Sequence, residues 1–343
     1  MDTQIITNPS DQELDMLARA LRNGELASIP TETVYGLGAN GLDPEAMDKI
    51  YAAKGRPSDN PLILHVPNSE SIKPLVTEVS KTAQLLMDTF WPGPLTITLP
   101  KSDLVPDRAT GGLPRVALRC PDHKVCRVLL ERAGVPVAAP SANISGRPSP
   151  TTAQDVYHDM NGRISYILDA GPCTIGVEST VVEVHDDKVI ILRPGGITKA
   201  QLKNVVSTVE YDTALVNATT KPKAPGMKYT HYAPDAPMTV VVGNPEVIAS
   251  TFKELSDGIE GPIGCLVSHE TYDLIKGDTR FMCHCFGHHG DALSLGHDFY
   301  KSLLHFNENH VTLILAEGVN DDGFGVAIMN RMEKASSHHI IYK

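Results

Sequence analysis

Several features that would fix a protein's class are missing from this sequence. No apolar run among its 343 residues approaches the roughly 20 needed to span a bilayer, so no membrane role is expected. The opening stretch MDTQIITNPSDQELD has neither a basic nor an apolar region, so no secretory signal is expected. The cysteines at 120, 126, 173, 265, 283 and 285 are scattered through a large chain. They make no disulfide framework, and the expectation is reduced thiols and a cytoplasmic location. There is no Walker A sequence, no G-x-S-x-G nucleophile elbow, no C-x₂-C pair, and no pair of carboxylates that stands out as a glycosidase or two-metal site. Internal repeats and low-complexity tracts are also lacking.

What is present is ordinary in bulk and informative in detail. At about 150 residues per domain, the length predicts two domains, each with its own core. A hydrophobic fraction of 41% and a charged fraction of 21% are those of a globular chain. The net charge is -11, and it is uneven: residues 238–343 carry 7 Lys+Arg against 14 Asp+Glu, the preceding residues 23 against 27. Such a chain is a poor candidate for tight nonspecific binding of nucleic acid, although its first two thirds can assemble a local cationic pocket.

The pattern predicts a catalytic domain over 1–218, a proline-rich linker over 219–237 and a smaller domain over 238–343. The first opens with a helix over 11–23, with Ser10 as N-cap and Gly24 as stop. Short strands follow at 26–30, 62–66, 95–99, 116–119, 137–139, 166–169, 180–184 and 189–193, mixed with helices, which argues α/β with a mixed sheet. The linker has prolines at 222, 225, 234 and 237, which block helix and sheet. It also carries Tyr229, His231 and Tyr232, which a pure spacer rarely needs. Beyond it, strands at 239–242, 263–267, 281–285 and 312–316 alternate with helices, the pattern of a small parallel, doubly wound domain.

Seven segments carry candidate chemistry. Residues 29–41, IPTETVYGLGANG, contain a G-x-G-x-x-G, but the next helix starts later, at Asp43-Pro44, and no acidic residue follows at ribose-binding distance. A glycine-rich turn is the expectation there, with the hydroxyls of Thr31, Thr33 and Tyr35 as the features of interest. Residues 54–65, KGRPSDNPLILH, are stronger: they place Lys54 and Arg56 around a glycine just after a helix, which suits a phosphate clamp, with a solvated basic helix end as the plainer alternative. His65 ends an apolar strand, where core histidines are common. Arg115 and Arg119 lie four apart on one strand, hence on one face. Two like charges there are costly unless an anion joins them. The segment around Ser141, Asn143, Ser145 and Ser149 offers neutral donors suited to phosphate or ribose oxygens, and Ser179-Thr180 and Arg193 border further strands. The run CHCFGHHG at 283–290 could bind a metal through Cys283, Cys285 and His288, but C-x-C is tighter than structural zinc spacing, and the two cysteines fall on one face of a strand.

Taken in order, PTETVYGLGAN, KGRPSDNPLILH, WPGPLTITL, RVALRCPDH, PSANISGRPSPT, GVESTVV and LRPGGIT resemble the threonylcarbamoyl-AMP synthase family in its long, two-domain form. The resemblance implies an α/β fold: a YrdC-like, twisted mixed-sheet domain around a concave cationic cavity, then a smaller Rossmann-like domain, with the HYAP linker (231–234) over the active site. It implies a nucleotidyltransferase that makes threonylcarbamoyl-AMP, pyrophosphate and water from L-threonine, bicarbonate and ATP, with Mg²⁺ carried by the nucleotide. A downstream threonylcarbamoyl-transferase complex would then modify an adenosine of tRNA, which this protein would meet only indirectly. Threonine would be held by Thr33, His65, Arg119, the backbone at Ala139, and Ser179. ATP would be held by Arg56, Asn60, Arg115, Ser141, Ser149, Arg193 and Tyr232, with Lys54 and Arg56 neutralising phosphate charge in catalysis. The alternatives are an RNA-binding module without catalysis, which the acidity disfavours, and a carbamoyl-adenylate-forming relative, whose additional domains have no room here.

Overall fold

The computed structural model describes residues 2–215 and 231–343. They divide into two compact units: one of residues 2–145, 149–174 and 178–215, the other of residues 146–148, 175–177 and 231–343. Most of the expected linker thus lies outside the described residues.

Among the described residues, the first unit holds β1 (Gln4–Thr7), β2 (Ala27–Ile29), β3 (Gly36–Asn40), β4 (Ile63–His65), β5 (Leu95–Pro100), β6 (Arg115–Arg119), β7 (Val137–Ala138), β8 (Tyr166–Asp169), β9 (Thr180–Val184), β10 (Lys188–Arg193) and β11 (Thr208–Tyr211). They form one mixed sheet in the order β1-β8-β2-β3-β7-β4-β6-β5-β9-β10-β11. Its helices are α1 (Asp11–Arg22), α2 (Pro44–Lys54), α3 (Lys81–Phe90), α4 (Asp107–Thr110), α5 (Lys124–Ala133), α6 (Ala153–Met160) and α7 (Lys199–Lys203). Local chemistry sets their ends. Ser10 and Glu13 form a reciprocal capping box on α1, and Asp43 caps α2, whose first residue is Pro44.

The sheet's two faces are used differently. Alternation sends Leu64, Leu95, Ile97, Leu99, Val116, Leu118, Val182 and Val184 into the main core, with residues of α2, α3 and α6. On the other face, α1 and α5 bury Leu14, Leu17, Cys126 and Leu129 against Ile6, Ala27, Ile29, Val137 and Leu168. Each such leucine contributes roughly 2 kcal/mol over leaving it exposed. That second cluster covers the half of the face nearest β1, β8, β2 and β7. Across the other half runs a small apolar patch made of strand residues alone: Ile63, Ala117, Val181 and Leu192. By the same alternation, His65, Arg115, Arg119 and Glu183 share the face of this patch.

One expectation is corrected here. Residues 36–40 are a buried strand, not a glycine-rich turn. The glycines let β3 lie flush between its neighbours. A Cβ on Gly36 would stand 3.0 Å from the Ala139 Cβ, and one on Gly38 would stand 3.0 Å from both the Ala27 carbonyl and Val137 Cγ1.

In the second unit, β12 (Met238–Val242), β13 (Ile263–Val267), β14 (Phe281–Cys285), β15 (Leu313–Glu317) and β16 (Ile340–Tyr342) alternate with α8 (Pro245–Ser256), α9 (His269–Ile275), α10 (Ala292–Glu308) and α11 (Gly325–Ala335). The strands pair in parallel in the order β14-β13-β15-β12-β16. The fold is therefore a large mixed sheet plus a smaller parallel α/β unit. No helix among the described residues is long and apolar enough to cross a membrane.

Candidate active site

The polar half-face of the large sheet carries His65, Arg115 and Arg119 of the residues singled out above. β4 and β6 run parallel, with His65 registered on Arg119. Arg119, at the end of β6, is 4% exposed. Its Nη2 lies 2.7 Å from Oε2 of Glu32, and its Nε donates to the Gly93 carbonyl at 3.4 Å in the WPGP segment. The anion that this strand needed is thus in part the protein's own. His65 is buried beside it, with Nδ1 3.2 Å from the Ile63 carbonyl. Burial first, and then the Arg119 charge, push its pKa down to about 3, so the imidazole is neutral.

Thr33 is fully buried, its hydroxyl 2.9 Å from that of Thr31. The Ala139 amide donates to the Ile63 carbonyl at 3.0 Å, which ties the backbone after β7 to β4. The Ser179 hydroxyl meets that of Thr96 at 2.8 Å. Arg193 donates to the Ser179 carbonyl from Nε and Nη2 at 3.2 and 3.0 Å, and to its hydroxyl at 3.2 Å. Gly195 makes this junction possible: a Cβ there would stand 2.4 Å from backbone atoms of Glu178, Ser179 and Thr180.

Lys54 is not a solvated helix end. It is 2% exposed, and Nζ donates to the carbonyls of Ser141 and Asn143. Burial, with Arg56 adding to it, drives its pKa well below the ordinary lysine value. Gly55 caps α2 in the left-handed conformation at φ 63°. Arg56 then turns back, and Nη2 donates to the Pro61 carbonyl at 3.1 Å. Asn60 is buried, its carbonyl accepting from the Tyr51 hydroxyl at 3.1 Å. Ser149 donates to Glu178 at 2.7 Å, and Ser141 bridges Gly36 of β3. Arg115 donates from Nη2 to the carbonyls of Thr98 at 2.7 Å and Val184 at 2.8 Å. It borders a cavity of about 230 Å³ whose walls include Pro61, Leu62, Thr98, Ala117 and Glu183.

Tyr232 belongs to the second unit, where its ring lies 5.3 Å from that of Tyr300 and 5.9 Å from the Arg331 guanidinium carbon. Tyr229 lies outside the described residues. Cys283 is registered on Cys265 of the neighbouring strand, and Nδ1 of His288 is 3.0 Å from Glu270. Among the described residues, no three His, Cys, Asp or Glu side chains converge as metal ligands.

Sequence reasoning missed Glu32, Glu178 and Glu183, the acidic partners and wall of the site. For Glu32 a signal existed: a charged residue between Thr31 and Thr33 at the end of an apolar strand.

This geometry defines a class: an α/β protein whose mixed sheet carries a buried, cationic, hydroxyl-rich small-molecule site, joined to a parallel α/β unit. A family model described as "Telomere recombination" (Sua5/YciO/YrdC) matches residues 19–195, and one described as "Threonylcarbamoyl-AMP synthase, C-terminal domain" matches residues 197–337. The threonylcarbamoyl-AMP synthase of Bacillus subtilis is 45% identical over 333 residues, covering 97% of this chain and 95% of that protein. The Pyrococcus abyssi enzyme of the same name is 42% identical, covering 96% and 95%. The crystal structure of P. abyssi Sua5 complexed with L-threonine superposes with a TM-score of 0.90 at 40% identity, over 99% of this chain and 100% of that one. The chain belongs to the threonylcarbamoyl-AMP synthase family.

Proposed function

We propose that this protein condenses L-threonine, bicarbonate and ATP into threonylcarbamoyl-AMP, releasing pyrophosphate and water. The observation that carries this reading is the buried Arg119, registered on neutral His65 on one sheet face: a guanidinium placed to take an amino acid's carboxylate. The related P. abyssi protein was crystallised with L-threonine, which supports that assignment.

The reaction needs no protein nucleophile. The amine of threonine adds to bicarbonate and water leaves. The resulting carbamate attacks the α-phosphorus of ATP and pyrophosphate departs. Positioning and charge neutralisation carry such a transfer. Arg119, Ser179, His65, Thr33 and the Ala139 backbone orient threonine in this reading. Arg56, Asn60, Ser141, Ser149, Arg193 and Arg115 take ATP. Lys54 fixes the Ser141 and Asn143 carbonyls, and its desolvated ammonium is stabilised when phosphate arrives. Mg²⁺ travels with ATP; the described residues offer it no carboxylate cage, so it is left to phosphate and water, and no step is assigned to it. The product then passes, in the cytoplasm, to a threonylcarbamoyl-transferase complex that forms N6-threonylcarbamoyladenosine in tRNA.

The test is pyrophosphate release by the purified protein with MgATP, omitting threonine or bicarbonate in turn. Release should require both. Release indifferent to threonine overturns the reading.

A further inference from the structure

The threonine site contains a second charged group that the roles above leave unused. Glu32 is 6% exposed. Its Oε2 stands 2.7 Å from Arg119 Nη2, yet neither carboxylate oxygen takes a directed hydrogen bond. Leaving a buried carboxylate in this state costs free energy. Its backbone is pinned, since the Glu32 carbonyl accepts from the Thr174 amide at 3.1 Å. Arg119, His123, Cys120, Cys126 and Cys173 surround it electrostatically. Burial raises all three thiols, Cys120 to about 11, so none competes as an anion. His65 is neutral and brings no charge.

We propose that Glu32 receives the amino group of the substrate, its free Oε1 facing the ammonium while Arg119 holds the carboxylate. This rests on the function proposed above and adds a residue to it. Charge balance in a dry site favours the arrangement: Arg119 and Glu32 cancel, and a zwitterion adds no net charge. The same carboxylate suits the first chemical step. Threonine arrives as an ammonium ion, whose nitrogen has no lone pair to offer. One proton passes to Glu32 Oε1. The freed amine forms the N–C bond to bicarbonate, the C–OH bond breaks, and the hydroxyl leaves as water with a second amine proton. The carbamate remains, and Glu32 returns its proton to solvent.

The experiment is isothermal titration of the full-length protein with L-threonine and with 2,3-dihydroxybutanoate, in which a hydroxyl replaces the amine. Wild type should prefer threonine by about tenfold to a hundredfold, the range of one charge-assisted hydrogen bond. Glu32→Gln should erase that preference, because it removes the partner of the ammonium and leaves Arg119 free for either carboxylate. Glu32→Asp, which keeps the charge one methylene back, should weaken threonine more than the hydroxy acid and retain part of the preference; it carries the test if the Gln variant does not fold. Equal weakening of both ligands by either variant overturns the proposal, since Glu32 would then act only through Arg119. Unchanged binding of both overturns it too. Wild type that binds neither ligand removes the proposed function as well, whereas an unaltered preference in the variants removes Glu32 alone.

Discussion

Both units bury a glutamate, and they treat it in opposite ways. Glu317, at the end of β15, is fully buried. It accepts from the Ser268 amide and hydroxyl at 2.9 Å each, and His289 Nδ1 lies 2.7 Å away. Glu32 in the first unit has only the Arg119 guanidinium beside it and no directed hydrogen bond. A saturated carboxylate holds a fold together. An unsaturated one is tolerated where a ligand completes it, at a cost of roughly 1–3 kcal/mol in the meantime. Glu317 ties two neighbouring strand ends together.

The largest expected effect comes from setting Lys54 against Glu317. Lys54→Met removes the donor that holds the Ser141 and Asn143 carbonyls and a cation near the phosphates. Pyrophosphate release should fall by about a hundredfold or more. Glu317→Gln should lower stability by about 1–3 kcal/mol and leave turnover per folded molecule unchanged. Turnover lost equally in both variants would erase the division between a reactive and a structural buried charge.

A smaller effect separates two glycines. Gly195→Ala should cost roughly 1–3 kcal/mol in urea unfolding, because its Cβ meets three backbone atoms at 2.4 Å. Gly243 in the second unit has nothing closer than 3.5 Å, so Gly243→Ala should stay within about 0.5 kcal/mol. Trp91, the chain's single tryptophan, reports on the first unit, and circular dichroism on both. Equal costs would mean that the junction of Arg193 with Ser179 relaxes freely.

Much of this was legible in the sequence, and the exceptions share a cause. The strands at 166–169, 180–184, 263–267 and 281–285 are found at those residues, because each is an apolar or alternating run bounded by breakers. Ser10 caps α1 as its hydroxyl and position predict. The shared face of Arg115 and Arg119 followed from alternation alone. β3 was illegible because glycine signals a turn locally, and only its neighbours' backbones, distant in sequence, make it a strand. The burial of Lys54 was illegible because nothing local announces the carbonyls 87 and 89 residues away that accept from it. The Glu32–Arg119 pair joins the loop after β2 to the end of β6, two strands that are not adjacent in the sheet, a relation no local window contains.

The finest distinction between the units lies in their response to acid. His65 has a folded pKa of about 3 against an ordinary 6.5. The folded protein therefore keeps it neutral while the unfolded chain takes up a proton below 6.5. The stability from its neutral form is complete above 6.5 and is lost as pH falls from 6.5 through 3. His123, also lowered chiefly by burial, acts in the same direction. In the second unit, hydrogen bonds from its own amide, the His289 amide and the His288 side chain hold Glu270 at about 2, below its ordinary 4.5. Its contribution is present above 4.5 and is lost only as pH falls through 2. Between pH 6.5 and 4.5, acid should thus weaken the first unit while leaving that second-unit contribution in place. Urea unfolding followed by Trp91 fluorescence should show stability falling there by at most about 1.4 kcal/mol per pH unit for each such histidine. In His65→Gln that slope should flatten, with His123 leaving a remainder. A wild-type slope retained by the variant would mean that the buried imidazole is not the group that titrates.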